Sequence, residues 1–264
     1  MKNLAWLTDI HLNFIEELQI GELCKMIKVS EPDSVLISGD ISEAPNLENH
    51  LRLLEELIQC PIYFVLGNHD FYKGSIHSVR QTAKRISESS NQLKWLSNMG
   101  VVELTEQTGL VGHDSWADGR LGLGNKSGIF LNDFMLIEEL RESRNLFETL
   151  NALGDESADY FKRHLPEALN RFQHLLVMVH VPPFKEACWH EGKISGDDWL
   201  PHFTCHAVGE VLRQTMSAHL SKQMTVLCGH THSAGVAQIL PNLEVKAGAA
   251  IYGKPSVQEM LFIE

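Results

Sequence analysis

The sequence predicts a mixed α/β (α+β) fold of two β-sheets with helices on the outside, and three observations carry that expectation. The first hundred residues alternate short apolar runs with helix-periodic stretches, the pattern of a parallel sheet with right-handed crossovers. Beyond Val101 the alternation gives way to a hairpin pattern and then to a second set of strand-like runs. No linker, internal repeat or low-complexity segment divides the chain, so residues 1–264 are expected to form one domain.

Asn3–Leu7 is the first strand, and a helical stretch follows from about Phe14 to Val29 with Asn13 as its cap. Ser34–Ser38 is the second strand. Asn46–Gln59 then sets Leu47, Leu51, Leu54, Leu57 and Ile58 at helical spacing. Ile62–Leu66 is the third strand, with a helix after it through roughly Ser75–Ser89. Val101–Glu106 and Gly109–Gly112 pattern as a hairpin, and an irregular Gly-rich loop runs from His113 to Gly128. Two helical stretches, Arg144–Ala152 and Asp155–Arg171, precede a strand at His174–Val179. A long loop over Pro182–Thr204 leads to a helix at Cys205–Leu220. The tail carries strand patterns at Met224–Leu227, Gly235–Ile239, Leu243–Lys246 and Val257–Ile263.

Composition narrows the class. Apolar residues make up 44% of the chain and charged residues 21%, enough for a sizeable core in an ordinary globular protein. No apolar run reaches the roughly 18 residues that cross a bilayer. The start is apolar only over Leu4–Leu7 before Thr8 and Asp9, unlike a signal peptide, so a soluble, cytoplasmic protein is expected. Five widely spaced cysteines without a Cys-x-x-Cys pair argue against a disulfide framework or structural zinc site. A net charge of −12 disfavours general binding to nucleic acid, although metal ions would reverse the sign locally.

Chemistry concentrates in four short motifs, each placed after an apolar strand-like run: Asp9-Ile-His11, Gly39-Asp40-Ile-Ser-Glu43, Gly67-Asn68-His69-Asp70 and Gly229-His230-Thr-His232. His180, at the end of Val177-Met-Val and before Pro182-Pro183, has the same form. In open α/β sheets ligands bind beyond the carboxyl ends of the strands, and Asp9, Asp40 and Asn68 fall there. Asp9 and His11 are two apart, so an extended strand end would turn both side chains to one face. The same holds for His230 and His232. Asp40 carries two oxygens, which suits a carboxylate shared by two cations. Asn68 is a neutral oxygen donor, sensible where carboxylates already supply charge. His69 followed by Asp70 has the form of a base-and-orienter pair, whose adjacent members interact only if backbone geometry positions them. Together they offer three oxygen donors (Asp9, Asp40, Asn68), four imidazoles (His11, His180, His230, His232) and one further histidine, His69. A nitrogen and oxygen set without thiolate favours Mn, Fe, Zn or Co over Ca or a structural zinc site.

In order and spacing these motifs resemble the calcineurin-like metallophosphoesterase superfamily, with Glu43 an allowed variant. The resemblance covers Asp9 to His232. It implies a metallophosphoesterase-like, two-sheet β-sandwich flanked by helices, with a metal site at the carboxyl ends of the strands holding two divalent or trivalent metal ions, Mn, Fe or Zn foremost. Asp9, His11, Asp40 and His232 would hold one metal, and Asp40, Asn68, His180 and His230 the other, with Asp40 bridging. His69 would protonate the leaving oxygen and Asp70 would orient it. The implied activity is hydrolysis of a small phosphodiester or phosphomonoester by a hydroxide activated between cations roughly 3.5–4 Å apart.

A nuclease of the same chemistry is the alternative. It calls for a basic groove, whereas Arg80, Lys84, Arg85, Arg141, Arg144 and Arg163 are scattered among more numerous acids. A non-catalytic scaffold on the same fold predicts eroded ligands or a missing His69, and neither is seen. Residues of the two long loops (His113, Asp114, Trp116 and Arg120; Lys185, Trp189, His190, Asp198 and Trp199) either line the cleft or pack the loops down. The sequence leaves the ester class and the oligomeric state open.

Overall fold

The computed structural model describes residues 1–264. In chain order the first half runs β1 (Lys2–Leu7), α1 (Glu17–Val29), β2 (Ser34–Ser38), α2 (Leu47–Ile58), β3 (Ile62–Val65), α3 (Ile76–Ser89) and β4 (Leu93–Trp95). There follow β5 (Val102–Glu103), β6 (Thr108–Gly112), α4 (Asp133–Leu136), α5 (Glu138–Arg141), α6 (Leu146–Arg171) and β7 (His174–Met178). The remainder is β8 (Trp189–His190), β9 (Lys193–Ile194), α7 (Leu200–Phe203), α8 (His206–Ala218), β10 (Gln223–Cys228), β11 (Gly235–Leu240), β12 (Leu243–Ala247) and β13 (Glu259–Ile263).

Two mixed sheets stack with helices outside them. The first has order β13-β1-β2-β3-β4 and the second β11-β12-β10-β7-β6-β5. Strands β1 to β4 are parallel neighbours, as the alternating pattern implies, and β13 closes the outer edge of β1 in antiparallel register, Lys2 against Ile263. Strands β6, β7, β10 and β12 are likewise parallel.

Period-2 alternation explains the layering. Ala5, Leu7, Val35, Ile37, Ile62 and Phe64 face α1, α2 and α3 in a cluster of 31 buried residues. Their neighbours Leu4, Trp6, Leu36 and Val65 meet Leu110, Leu176, Met178 and Leu227 of the second sheet in a cluster of 12. A third cluster of 26 packs the second sheet on α6 and α8. Both faces of each sheet are therefore buried, which is why the strands read as near-continuous apolar runs. Most of the apolar burial lies between sheet and helix, so the inter-sheet seam is the thinner layer.

Several boundaries differ from expectation. Helix α1 starts later, capped by Glu16 and not Asn13, because Glu16 and Gln19 form a reciprocal capping box. The two stretches expected on either side of Gly154 are one helix, α6. Gly154 sits mid-helix because a Cβ there would lie 2.5 Å from Cβ of Asp118. Strand β4 and helices α4 and α5 were too short to carry a period. The loop after His180 contains the β8–β9 hairpin and α7. No helix is long and apolar enough to cross a membrane.

Candidate metal centre

The loops after β1, β2, β3, β7 and β10 converge at one edge of the sandwich, and each carries a motif. The expected extended backbone is absent there. Asp9, His11, Asp40, His230 and His232 all have left-handed backbone, with φ of 49°, 41°, 52°, 70° and 58°. Such conformations are costly for residues with a Cβ and persist where surroundings fix them, commonly at functional sites. The turns point paired side chains inward where a strand would not. Gly229 permits the approach of β10 to β1, since a Cβ there would fall 2.0 Å from both Asp9 Oδ2 and Thr8 Oγ1.

Two donor clusters result. In the first, one ligand atom from each of Asp9, His11, Asp40 and His232 lies within 4.8 Å of all the others. His232 Nε2 is 3.3 Å from Asp9 Oδ1 and 3.2 Å from His11 Nε2. In the second, Asn68 Oδ1 is 3.0 Å from His180 Nε2 and 2.9 Å from His230 Nδ1. Asp40 touches both, with Oδ2 3.8 Å from His11 Nε2 and Oδ1 3.4 Å from His180 Nε2. Two donors each about 2.1 Å from a shared cation and roughly 90° apart would be separated by about 3.0 Å, so these spacings fit a metal.

The electrostatics make the same demand. Burial pushes the Asp9 carboxyl up, but its hydrogen bond to His232 and the charge of His180 outweigh that and hold it at about 2. Asp40, buried likewise, is kept well below the usual carboxylate range by His180, His69 and His11. Burial lowers His180, yet Asp40 overrides it and raises the ring to about 10. His230 goes the other way, down to about 4, through burial and the nearby His180. Its single proton serves two acceptors, since Nε2 faces the His202 carbonyl at 2.9 Å while Nδ1 faces Asn68 Oδ1. With the proton on Nε2, a lone pair opposes the Asn68 oxygen, an arrangement a cation relieves. His180 is oriented similarly, Nδ1 donating to the Ser38 carbonyl at 2.9 Å and leaving Nε2 for the cluster. The residues present therefore suit a pair of metal ions.

His69 stands beside the first cluster, its ring centroid 4.6 Å from that of His11. Its backbone N–H donates to Asp40 Oδ1 at 2.8 Å. Asp70 corrects the expectation that it orients His69. Its carboxylate accepts from the backbone N–H of Ile41 (2.9 Å), Ser42 (2.7 Å) and Gly67 (2.8 Å), and it is fully buried. The acid ties the Asp40 loop to the Asn68 loop. Burial and the neighbouring Asp40 push its carboxyl well above the usual range, against the pull of those N–H groups.

A cavity of about 290 Å³ opens beside the clusters, lined by Asn68, His69, Tyr72, Leu131, Asp133, His190, Phe203 and Tyr252 among others. Of the loop residues weighed above, only His190 lines it. Asp114 is buried and holds Leu66 N, Trp95 Nε1 and Ser97 Oγ, Trp116 packs on Phe71, and Arg120 is engaged by Asp118 and Asp155. Cys188 and Cys205 are buried, with thiols pushed up to about 12 by that burial, which removes them as nucleophiles. Sequence reasoning missed Tyr72, Asp133, Phe203 and Tyr252. None lies in a spaced motif, and Tyr72, three residues after His69, is the one that proximity pointed to.

A family model described as calcineurin-like phosphoesterase matches residues 2–234. No curated protein matches the sequence. Among solved structures, the chain is similar to a phosphopantetheinyl hydrolase from Mycobacterium tuberculosis, with TM-score 0.67 and 12% identity over 95% of this chain and 89% of that one. It is also similar to a dimetal phosphatase from Danio rerio, with TM-score 0.60 and 12% identity over 96% and 89% of the two chains. A protein from Thermus thermophilus follows at TM-score 0.55 and 12% identity, over 94% and 89%. At such identities the likeness is one of fold.

Proposed function

The chain belongs to the calcineurin-like phosphoesterase family, metal-dependent hydrolases of phosphoric esters, and from that premise we propose that it cleaves a small phosphodiester or phosphomonoester at a two-metal centre. Asp9, His11, Asp40 and His232 hold one ion, and Asp40, Asn68, His180 and His230 the other, with Mn, Fe or Zn as the metals. The observation that carries this reading is Asp40, whose two oxygens face the imidazoles of both clusters, His11 at 3.8 Å and His180 at 3.4 Å. When bound, the ions activate water and offset charge on the phosphoryl oxygens.

The protein's own contribution is arrangement. Asp9 and Asp40 supply the negative charge that retains cations, and the carbonyls of Ser38 and His202 fix the faces of His180 and His230. His69 borders the cavity and hands a proton to the departing alkoxide. Asp70 keeps the two ligand loops in register. The chain works as one domain over 1–264, and five unpaired cysteines suit the cytoplasm.

Substrate size follows from the cavity lining. It includes no Lys or Arg to grip a second phosphate, which favours a compact ester with one phosphate over the nuclease reading, since polynucleotide binding rests on several cationic contacts. The test is hydrolysis of bis(p-nitrophenyl) phosphate beside p-nitrophenyl phosphate in Mn²⁺, with Asp40→Asn as blank. Turnover that vanishes in the variant supports the reading and the preferred ester assigns the class. Wild-type protein that binds no metal and turns over neither ester overturns it.

A further inference from the structure

Asn68 can act as a metal ligand only with its oxygen forward, and nothing in its immediate imidazole surroundings enforces that. The oxygen and NH₂ of an asparagine amide are nearly isosteric, so a flip costs little shape. In the neutral rings that a metal ligand requires, the nitrogens facing it, His180 Nε2 and His230 Nδ1, are left as lone pairs when the rings donate to the Ser38 and His202 carbonyls. Lone pairs favour the NH₂ group, and would turn the amide the wrong way.

The counterweight comes from outside the motifs. Asn68 Nδ2 donates to Asp133 Oδ1 at 2.9 Å, and Tyr72 Oη donates to the same oxygen at 2.6 Å. Asn68 Nδ2 also lies 3.4 Å from Tyr72 Oη. All three side chains are buried, at 7% exposure for Asn68, 7% for Asp133 and 4% for Tyr72. A carboxylate has no proton to give an amide oxygen, so it repels the flipped orientation and accepts only the NH₂. Tyr72 donates to the same oxygen and so pins the carboxylate.

We infer that Asp133 and Tyr72 are a positioning pair that locks the Asn68 amide with its oxygen toward His180 and His230, and so governs the affinity of that one metal position. This rests on the two-metal reading above. Asp133 opens α4, in a stretch with no ligand motif, so the lock lies outside the motif set. Loss of an orienting partner of a metal ligand typically weakens metal binding by about 10–100-fold.

The test is Mn²⁺ binding by calorimetry together with the electron paramagnetic resonance spectrum of the full chain, for wild type, Asp133→Asn and Tyr72→Phe. An asparagine at 133 accepts either orientation of Asn68 and so removes the lock at constant size. Wild type is expected to bind two Mn²⁺ and give a spin-coupled spectrum. Asp133→Asn is expected to keep one tight site, lose about 10–100-fold at the other, and show the uncoupled six-line signal at one equivalent. Tyr72→Phe leaves the carboxylate in place and is expected to weaken the same position by less; it decides the matter if Asp133→Asn fails to fold. Two equivalents bound with wild-type affinity in the folded variants, or equal weakening at both positions, overturns the inference alone. A wild-type chain that binds no Mn²⁺ overturns the two-metal reading beneath it.

Discussion

The ring of His69 stacks on the ring of Tyr72, centroids 4.2 Å apart and planes inclined by 27°, so an aromatic face and not a carboxylate sets its attitude. Its Nδ1 is buried without a hydrogen-bond partner. The ring is therefore held by packing on one side and bounded by His11 on the other. A proton donor so placed keeps its nitrogens unengaged by the protein, which suits transfer to a bound substrate.

Replacing His69 with Ala is expected to lower turnover by about 10²–10⁴-fold, the usual span for a positioned acid, with metal content unchanged. The contact with Asp40 runs through the His69 backbone N–H, which alanine retains. Steady-state rates on an aryl phosphodiester beside metal analysis check this, and loss of both metals would contradict it.

Asp70→Ala leaves three buried N–H groups, those of Ile41, Ser42 and Gly67, without their acceptor. Each costs on the order of 1–3 kcal/mol, so a stability loss of at least about 3 kcal/mol in urea unfolding is expected. Mn²⁺ affinity should fall with it, because the freed loops carry Asp40 and Asn68. Wild-type stability in this variant would refute the assigned role.

Stability of the metal-free chain should peak near pH 6.5. Burial holds His113 down at about 3, and His11 and His230 at about 4. As pH falls below 6.5 the unfolded chain takes up those protons and the folded one does not, so stability drops by up to about 1.4 kcal/mol per pH unit for each ring. Asp9, depressed to about 2, adds a further loss as pH falls from about 4 through that value. His180 is raised to about 10 by Asp40, against its burial, so its contribution is full below 6.5 and is lost as pH rises toward 10. Melting temperatures across pH 4–10 check the shape. Adding Mn²⁺ should flatten the alkaline limb, where cation replaces proton at His180, and leave the His113 part of the acid limb. A metal-free curve that rises steadily to pH 10 would be inconsistent with the raised His180.

Gly229→Ala would thrust a methyl to within 2.0 Å of Asp9 Oδ2 and Thr8 Oγ1. Relief requires moving β10 or turning the carboxylate, at about 1–3 kcal/mol and with loss of metal affinity. A thermal melt with and without Mn²⁺ reads both effects, and an unchanged metal-induced shift would count against it.

How far the sequence reaches can be followed residue by residue. β2 is legible at its observed bounds because Val35-Leu-Ile37 is a buried apolar run bounded by Ser34 and Ser38. All seven proposed ligands come together at one edge, because each motif sits directly after such a run and the parallel connections bring the carboxyl ends to the same side. What escaped was local or distant. The left-handed turns at Asp9, His11, His230 and His232 leave no periodic signature, so two-residue spacing suggests a strand geometry that the backbone does not adopt. Asp70 followed His69 in sequence, yet backbone direction sent its side chain to the amides of another loop. Asp133 and Tyr252 approach the centre from segments without a motif, and only tertiary packing reveals them.

The backbone N–H of His230 donates to both oxygens of Asp9, across a separation of 221 residues. The first ligand loop is thus held by one of the last. Contacts of such separation form late in folding, after the entropy of closing a long loop has been met. A partly folded chain, lacking β10, offers no complete donor set, so the free energy of metal binding accrues to the finished structure alone. Metal bound at this centre would thereby stabilise molecules whose two ends have met and give no such support to those whose ends have not.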